Sequence, residues 1–256
     1  MTNTTLKGKI ALVTGGSRNV GRETALALGE RGADVVVTYV GNQAGAIETV
    51  EKLQAIGVKG KALQVDLNGT SEIESFISKF KTVLSEWGRS DFDILVNNAG
   101  IIKLGTFDKV TEEDLDALYQ TNYKSVFFLT QQLLNDMADG GRIINIGSGT
   151  AGIAFAPLVS YGPLKAAIQS LTLYLASFLG ERKITVNAVA PGGLDDDFNS
   201  ELFEQMSGAK DFISSSTALG RIGKPDDIGS VIAFLCTKSA SFINGAIIPI
   251  DGGFHL

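Results

Sequence analysis

Residues 9–21 read Lys9-Ile10-Ala11-Leu12-Val13-Thr14-Gly15-Gly16-Ser17-Arg18-Asn19-Val20-Gly21, and their order decides the fold. A short apolar, β-branched run reads as a buried strand. The glycine cluster after it reads as a tight turn, and residues 23–31 then read as a helix that stops at Gly32. A turn of this kind brings backbone N–H groups and a helix N-terminus to an anionic pyrophosphate, with glycine wherever a side chain would collide. Working outward, residues 34–40 form a second strand, 44–56 an amphipathic helix and 60–65 a third strand ending at Asp66. This is a β-α-β-α-β half.

The alternation continues to the end of the chain. Ser71 with Glu74 three residues on has the pattern of a capping box, opening a helix that runs to about Trp87. Residues 93–96 are a fourth strand, stopped by Asn97-Asn98-Ala99-Gly100. Acids at Glu112, Glu113 and Asp114 favour the start of a long helix that is expected to reach about Met137, with Asn122 in its middle. A fifth strand ends at Ser148, a helix covers residues 161–182, and a sixth strand over 183–190 is closed by Pro191-Gly192-Gly193. Residues 194–218, polar and uneven, read as a mobile cover over a site. A helix over 225–238 and a seventh strand over 246–250 complete the pattern. The expected fold is α/β: a doubly wound, seven-stranded parallel sheet with helices on both faces, forming a single domain over residues 1–256.

The chemistry is expected where the fifth strand ends. Ser148 sits at a strand terminus, where open α/β sheets bind ligands. Tyr161 and Lys165, spaced i and i+4, share a helix face. A lysine cation one turn away favours the phenolate and lowers the tyrosine pKa, while Ser148 can hydrogen-bond a substrate oxygen as charge develops on it. The trio fits proton transfer to a carbonyl oxygen. A Tyr and a Lys at this spacing also arise by accident on helix surfaces, so the surrounding motifs must carry the assignment.

Composition narrows the function classes. The chain has 256 residues, is 44% hydrophobic, and carries a net charge of −6 with no Lys/Arg-rich block, which argues against a nucleic-acid or anionic-membrane surface. One cysteine, Cys236, forbids an internal disulfide, and one histidine, His255, offers no zinc site. No run of about 18 apolar residues is present, and the first residues lack a basic segment followed by an apolar one. A cytoplasmic protein with no metal is the expectation.

Together these motifs resemble the short-chain dehydrogenase/reductase family: Thr14-Gly15-x-x-x-Asn19-Val20-Gly21, Asp66, Asn97-Asn98-Ala99-Gly100, Asn122, Ser148, Tyr161-x-x-x-Lys165, Pro191-Gly192 and Asp251-Gly252-Gly253, covering nearly everything from Lys9 to Gly253. The resemblance implies a Rossmann domain with Tyr161 as general acid/base, Ser148 holding the substrate oxygen, Lys165 tuning Tyr161 and binding the nicotinamide ribose, and Asn122 supporting a proton relay. It implies a dinucleotide lined by Gly15, Ser17, Arg18, Asn19, Val20, Gly21, Thr38, Tyr39, Asp66, Leu67, Asn98, Ala99, Gly100, Tyr161, Lys165, Pro191, Gly192 and Leu194. The second strand ends Val37-Thr38-Tyr39-Val40 without the acid of NAD-selective relatives, and Arg18 is placed to hold a 2′-phosphate, so NADP(H) is expected rather than NAD(H).

Two positions depart from the family pattern. Asn19 replaces a glycine of the phosphate turn, and Asp196, within Asp195-Asp196-Asp197, stands where many relatives have threonine. A carboxylate there can accept from the nicotinamide amide N–H but cannot donate, or the acidic run is simply a solvated loop. The expected activity is reduction of a small-molecule ketone or aldehyde. The alternatives are a 3-oxoacyl-carrier-protein reductase, weakened by Asn135 and Ser177 where arginines would grip the carrier, and a non-catalytic dinucleotide-sensing scaffold. A homotetramer is implied by the resemblance. Surplus apolar residues on the two long helices, such as Phe127, Phe128, Leu133, Leu171, Leu173 and Leu175, point the same way.

Overall fold

A computed structural model describes residues 5–254. Met1 to Thr4 and the lone His255 of the sequence reading lie outside the described residues. Seven strands form one sheet: β1 (Ile10–Val13), β2 (Asp34–Tyr39), β3 (Gly60–Gln64), β4 (Phe92–Asn97), β5 (Met137–Ile146), β6 (Thr185–Pro191) and β7 (Ile247–Ile250). The spatial order is β3-β2-β1-β4-β5-β6-β7, and every pairing is parallel. The strand order reverses between β1 and β4. Ligand clefts of open α/β sheets lie at that point, beyond the carboxyl ends of the strands.

Each face of the sheet carries its own apolar layer. On one side α1 (Asn19–Glu30), α2 (Gln43–Ala55) and α9 (Pro225–Leu235) bury Leu28, Leu53, Ile228 and Ile232 against Val13, Val37 and Val96. α1 and α9 approach closely because Gly229 lies on the backbone of Glu23, where an added Cβ would stand 2.7 Å from the Glu23 carbonyl carbon. On the other side α3 (Ile73–Glu86) presents Phe76 and Phe80 to Phe92 and Leu95. Alternate residues of one strand therefore serve opposite cores, as the unbroken apolar strand runs required.

Several expected boundaries move, each for a local reason. α3 starts at Ile73 without the Ser71–Glu74 box, and the Glu72 carboxylate instead accepts the Asp66 N–H at 2.8 Å. The long helix over 111–137 is four pieces, the last a 3₁₀ turn over Leu134–Asp136. α4 (Glu112–Tyr119) starts from Thr111, whose hydroxyl accepts the Asp114 N–H at 3.1 Å, a π-helical turn spans Gln120–Lys124, and α5 (Ser125–Leu133) follows. Arg182 then holds the carbonyls of Leu134 and Met137, and the chain enters β5 at Met137, nine residues before its Ile146 end. α6 (Tyr161–Phe178) ends four residues before the expected Arg182, and the turn that closes it passes through Lys183 in left-handed backbone, φ 57°. Residues 194–218 hold two short helices, α7 (Ser200–Gln205) and α8 (Ala209–Ser216), rather than irregular chain alone.

Candidate active site

A cleft of about 850 Å³ runs across the switch point, from Asn42 and Asp66 at one end to Tyr161 and Phe212 at the other. Every site residue named from the sequence lines it except Asn122.

At one end lies the phosphate turn. Gly15 has φ +68°, and a Cβ there would meet the Ala99 Cα at 3.1 Å; at Gly21 a Cβ would stand 2.2 Å from the Gly15 carbonyl oxygen. Only glycine fits these two places. Asn19 takes φ 50°, the left-handed region that asparagine tolerates better than other non-glycine residues, so the turn keeps its path despite the departure from the family pattern. α1 begins at Asn19 with no side-chain cap and no acid in its first turn, leaving its N–H groups and positive pole facing the cleft. A cradle closed to side chains and open to an anion fits a pyrophosphate.

The surrounding side chains hold that cradle from behind. Asn98 donates to the carbonyls of Thr14 (2.8 Å) and Gly15 (3.2 Å), and Thr14 Oγ1 accepts from the N–H groups of Asn98 and Ala99, both at 2.9 Å. Thr38, 2% exposed, accepts the Gly15 N–H at 3.0 Å. Asn98 and Thr38 thus shape the turn with their side chains. Arg18 is half exposed, with Nη1 3.8 Å from Asp197 Oδ2.

At the other end Ser148 leaves β5 in extended backbone, φ −164°, and its hydroxyl shares a 2.8 Å hydrogen bond with Thr150 Oγ1. Tyr161 and Lys165, both buried, project from the first turns of α6. Lys165 Nζ donates to the Ile146 carbonyl at 2.8 Å and lies 5.5 Å from the centre of the Tyr161 ring. Asn122 sits on the π-helical turn with its side chain spent on one residue: Oδ1 accepts the Ile101 N–H at 2.9 Å, and Nδ2 donates to the Ile101 carbonyl at 2.8 Å. It pins the cavity wall rather than entering the cavity.

The electrostatics correct one expectation. Lys165 does not draw the Tyr161 pKa down; burial, and then the Asp196 carboxylate, push the phenol well above its usual value. The ammonium points to the Ile146 carbonyl, and burial outweighs its attraction. A phenol that stays protonated at neutral pH is prepared to give a proton. Burial alone moves Lys165 from 10.5 down to about 8. Below about 8 the lysine is charged in both the folded and unfolded states, and the burial cost is fully present. Between about 8 and 10.5 only the unfolded chain holds the proton, so stability rises with pH across that window. Lys165→Met lacks this dependence. The variant's advantage in melting temperature over the wild type is expected to shrink from pH 8 to 10.5, and a constant difference would contradict the assignment.

The acidic run is not a uniform solvated loop. Asp195 pairs with Lys210 at 2.6 Å and Asp197 faces Arg18, whereas Asp196 lines the cleft, with Oδ1 accepting from the Asn199 N–H (3.1 Å) and Nδ2 (2.8 Å). Burial raises the Asp196 carboxyl pKa. The sequence reading also missed the apolar wall of Ile102, Phe155, Leu158, Phe198, Leu202 and Phe212, supplied by loops and by α7 and α8. It missed Gln169 too, which helical spacing places one turn beyond Lys165.

A phosphate cradle at one end of a cleft and a buried serine, tyrosine and lysine at the other define an oxidoreductase site. A family profile described as Enoyl-(Acyl carrier protein) reductase matches residues 15–255. A short-chain dehydrogenase/reductase of Pestalotiopsis microspora is 36% identical over 97% of this chain and 96% of its own. A trihydroxynaphthalene reductase of Pestalotiopsis fici is 32% identical over 98% of this chain and 91% of its own. Among solved structures, the angucycline C-6 ketoreductase LanV with bound NADP superposes with a TM-score of 0.93 at 38% identity, over 98% of this chain and 96% of that one. The chain belongs to the short-chain dehydrogenase/reductase family.

Proposed function

We propose that this protein is an NADPH-dependent ketoreductase that reduces a bulky, aromatic ketone to an alcohol. The observation that carries the reading is the convergence of Ser148, Tyr161 and Lys165 on the cleft that the glycine turn opens at its other end. When bound, the dinucleotide supplies the hydride. Ser148 donates a hydrogen bond to the substrate oxygen, with Thr150 orienting the serine hydroxyl, and Tyr161 gives that oxygen its proton. The raised Tyr161 pKa keeps the phenol protonated at neutral pH, the form that has a proton to give. Lys165 holds the end of β5 through Ile146 and offers its ammonium to the ribose side of the cleft. Asn122 fixes Ile101 at the substrate wall, and its place on the π-helical turn suits support of a proton path.

The aromatic substrate is supported by the phenylalanines of the cleft and by a relative named for trihydroxynaphthalene. The carrier-protein alternative finds no cations at Asn135 and Ser177, both exposed. The whole chain acts as one domain in the cytoplasm, with residues 194–218 moving over the substrate. It acts as a homotetramer because Phe127, Phe128, Leu173, Tyr174 and Phe178 leave apolar surface exposed on α5 and α6. Light scattering at micromolar concentration is expected to give a tetramer mass, and a monomer mass contradicts that.

Arg18 tests the cofactor preference. A guanidinium holds a 2′-phosphate through charge-assisted hydrogen bonds, so Arg18→Ala is expected to raise the KM for NADPH by about tenfold to a hundredfold and to leave that for NADH nearly unchanged. Equal changes for the two dinucleotides would remove Arg18 from the phosphate site.

A further inference from the structure

The α6 face that carries Tyr161 and Lys165 continues to Gln169 and Thr172, and three of these side chains are tied to β5 and its exit. Lys165 Nζ donates to the Ile146 carbonyl at 2.8 Å, Gln169 Nε2 donates to the Ser148 carbonyl at 3.0 Å, and the buried Asn145 donates to Thr172 Oγ1 at 2.9 Å. Gln169 also lies over Gly147, where an added Cβ would stand 3.0 Å from Nε2 and 3.2 Å from Cγ. The Ser148 carbonyl accepts a second bond from the Ala151 N–H at 3.1 Å, which closes the turn beneath the serine hydroxyl.

We propose that Gln169 is a positioning residue that sets the Ser148 hydroxyl against Tyr161, by tying the backbone of one to the helix that carries the other. Tyr161 and Gln169 belong to the same rigid helix, two turns apart, so a bond from Gln169 to Ser148 fixes a distance between two groups that must meet one substrate oxygen. Ser148 otherwise stands at the start of a turn, tethered through Gly147 N–H to Val189 on one side and Ala151 on the other. The amide is required here. A glutamate of the same length is an acceptor when ionised and repels the Ser148 carbonyl.

This inference rests on the ketoreductase reading, and its test has one arm that does not. Gln169→Met keeps length and packing without the donor, and Gln169→Glu keeps the shape. Both are expected to lower kcat about tenfold or more, the scale of one hydrogen bond, with NADPH affinity by fluorescence titration close to wild type and, for Gln169→Met, a melting temperature close to wild type as well. In a Ser148→Ala background Gln169→Met is expected to cost nothing further, because the group it positions is gone. Independently of activity, amide exchange at Thr150 and Ala151 is expected to rise in Gln169→Met while the body of α6 keeps its protection. Loss multiplying in the double variant, loss paralleled by weaker NADPH binding and lower melting temperature, or unchanged exchange at Thr150 and Ala151 would each overturn the role. An inactive wild type would instead strike at the ketoreductase reading and leave the exchange arm to decide.

Discussion

Tyr161→Phe is expected to lower ketone turnover by about 10²–10⁴, the usual worth of a placed proton donor, while NADPH binding stays within a fewfold of wild type. The ring is buried against Phe198 and beneath Lys165, so losing the hydroxyl leaves the packing in place. What disappears is the proton source. Steady-state rates with a saturating ketone, set beside an NADPH titration of the same preparation, read the two effects separately. A variant with more than about a tenth of wild-type turnover would take the acid role away from Tyr161.

The second large effect is expected at the opposite end of the cleft. Gly21→Ala puts a methyl group 2.2 Å from the Gly15 carbonyl oxygen and 2.5 Å from Asn98 Nδ2, distances that backbone must move to relieve. The atoms displaced are those that shape the cradle, since Asn98 is what holds the Thr14 and Gly15 carbonyls. Backbone that shifts to relieve this contact leaves the place where it would meet the pyrophosphate, and about a hundredfold weaker NADPH binding is expected. The dissociation constant measures this directly, with circular dichroism to verify that the sheet is intact. A folded variant that binds NADPH within threefold of wild type would mean that the turn is not the pyrophosphate seat.

Most of the sheet was legible because strands such as β1, β2 and β4 are short apolar runs with β-branched residues, bounded by turns that carry glycine or asparagine. The phosphate turn and the Tyr161 to Lys165 spacing were legible for the same reason: their constraints are local. What local pattern could not give was anything decided by partners far along the chain. The π-helical turn at Gln120–Lys124 depends on Asn122 reaching Ile101, and the early start of β5 depends on pairing with β4. The Tyr161 pKa went against the sequence expectation because helical spacing gives the distance to Lys165 but not the depth of burial. For Asp196 the sequence left two readings, a carboxylate facing the cofactor amide or part of a solvated acidic loop, and local pattern could not choose because the three acids separate only by which element each faces. The apolar substrate wall was missed because it is assembled from loops and from α7 and α8, whose sequence has no regular apolar period.

The most direct test of an NADPH-dependent ketoreductase is a comparison of kcat/KM for NADPH and NADH, with a panel of aromatic ketones and the alcohol product identified in each case. The account predicts alcohol formed stoichiometrically with NADPH oxidised, and a higher kcat/KM for NADPH than for NADH. No turnover with either dinucleotide, or a higher kcat/KM for NADH, would contradict it.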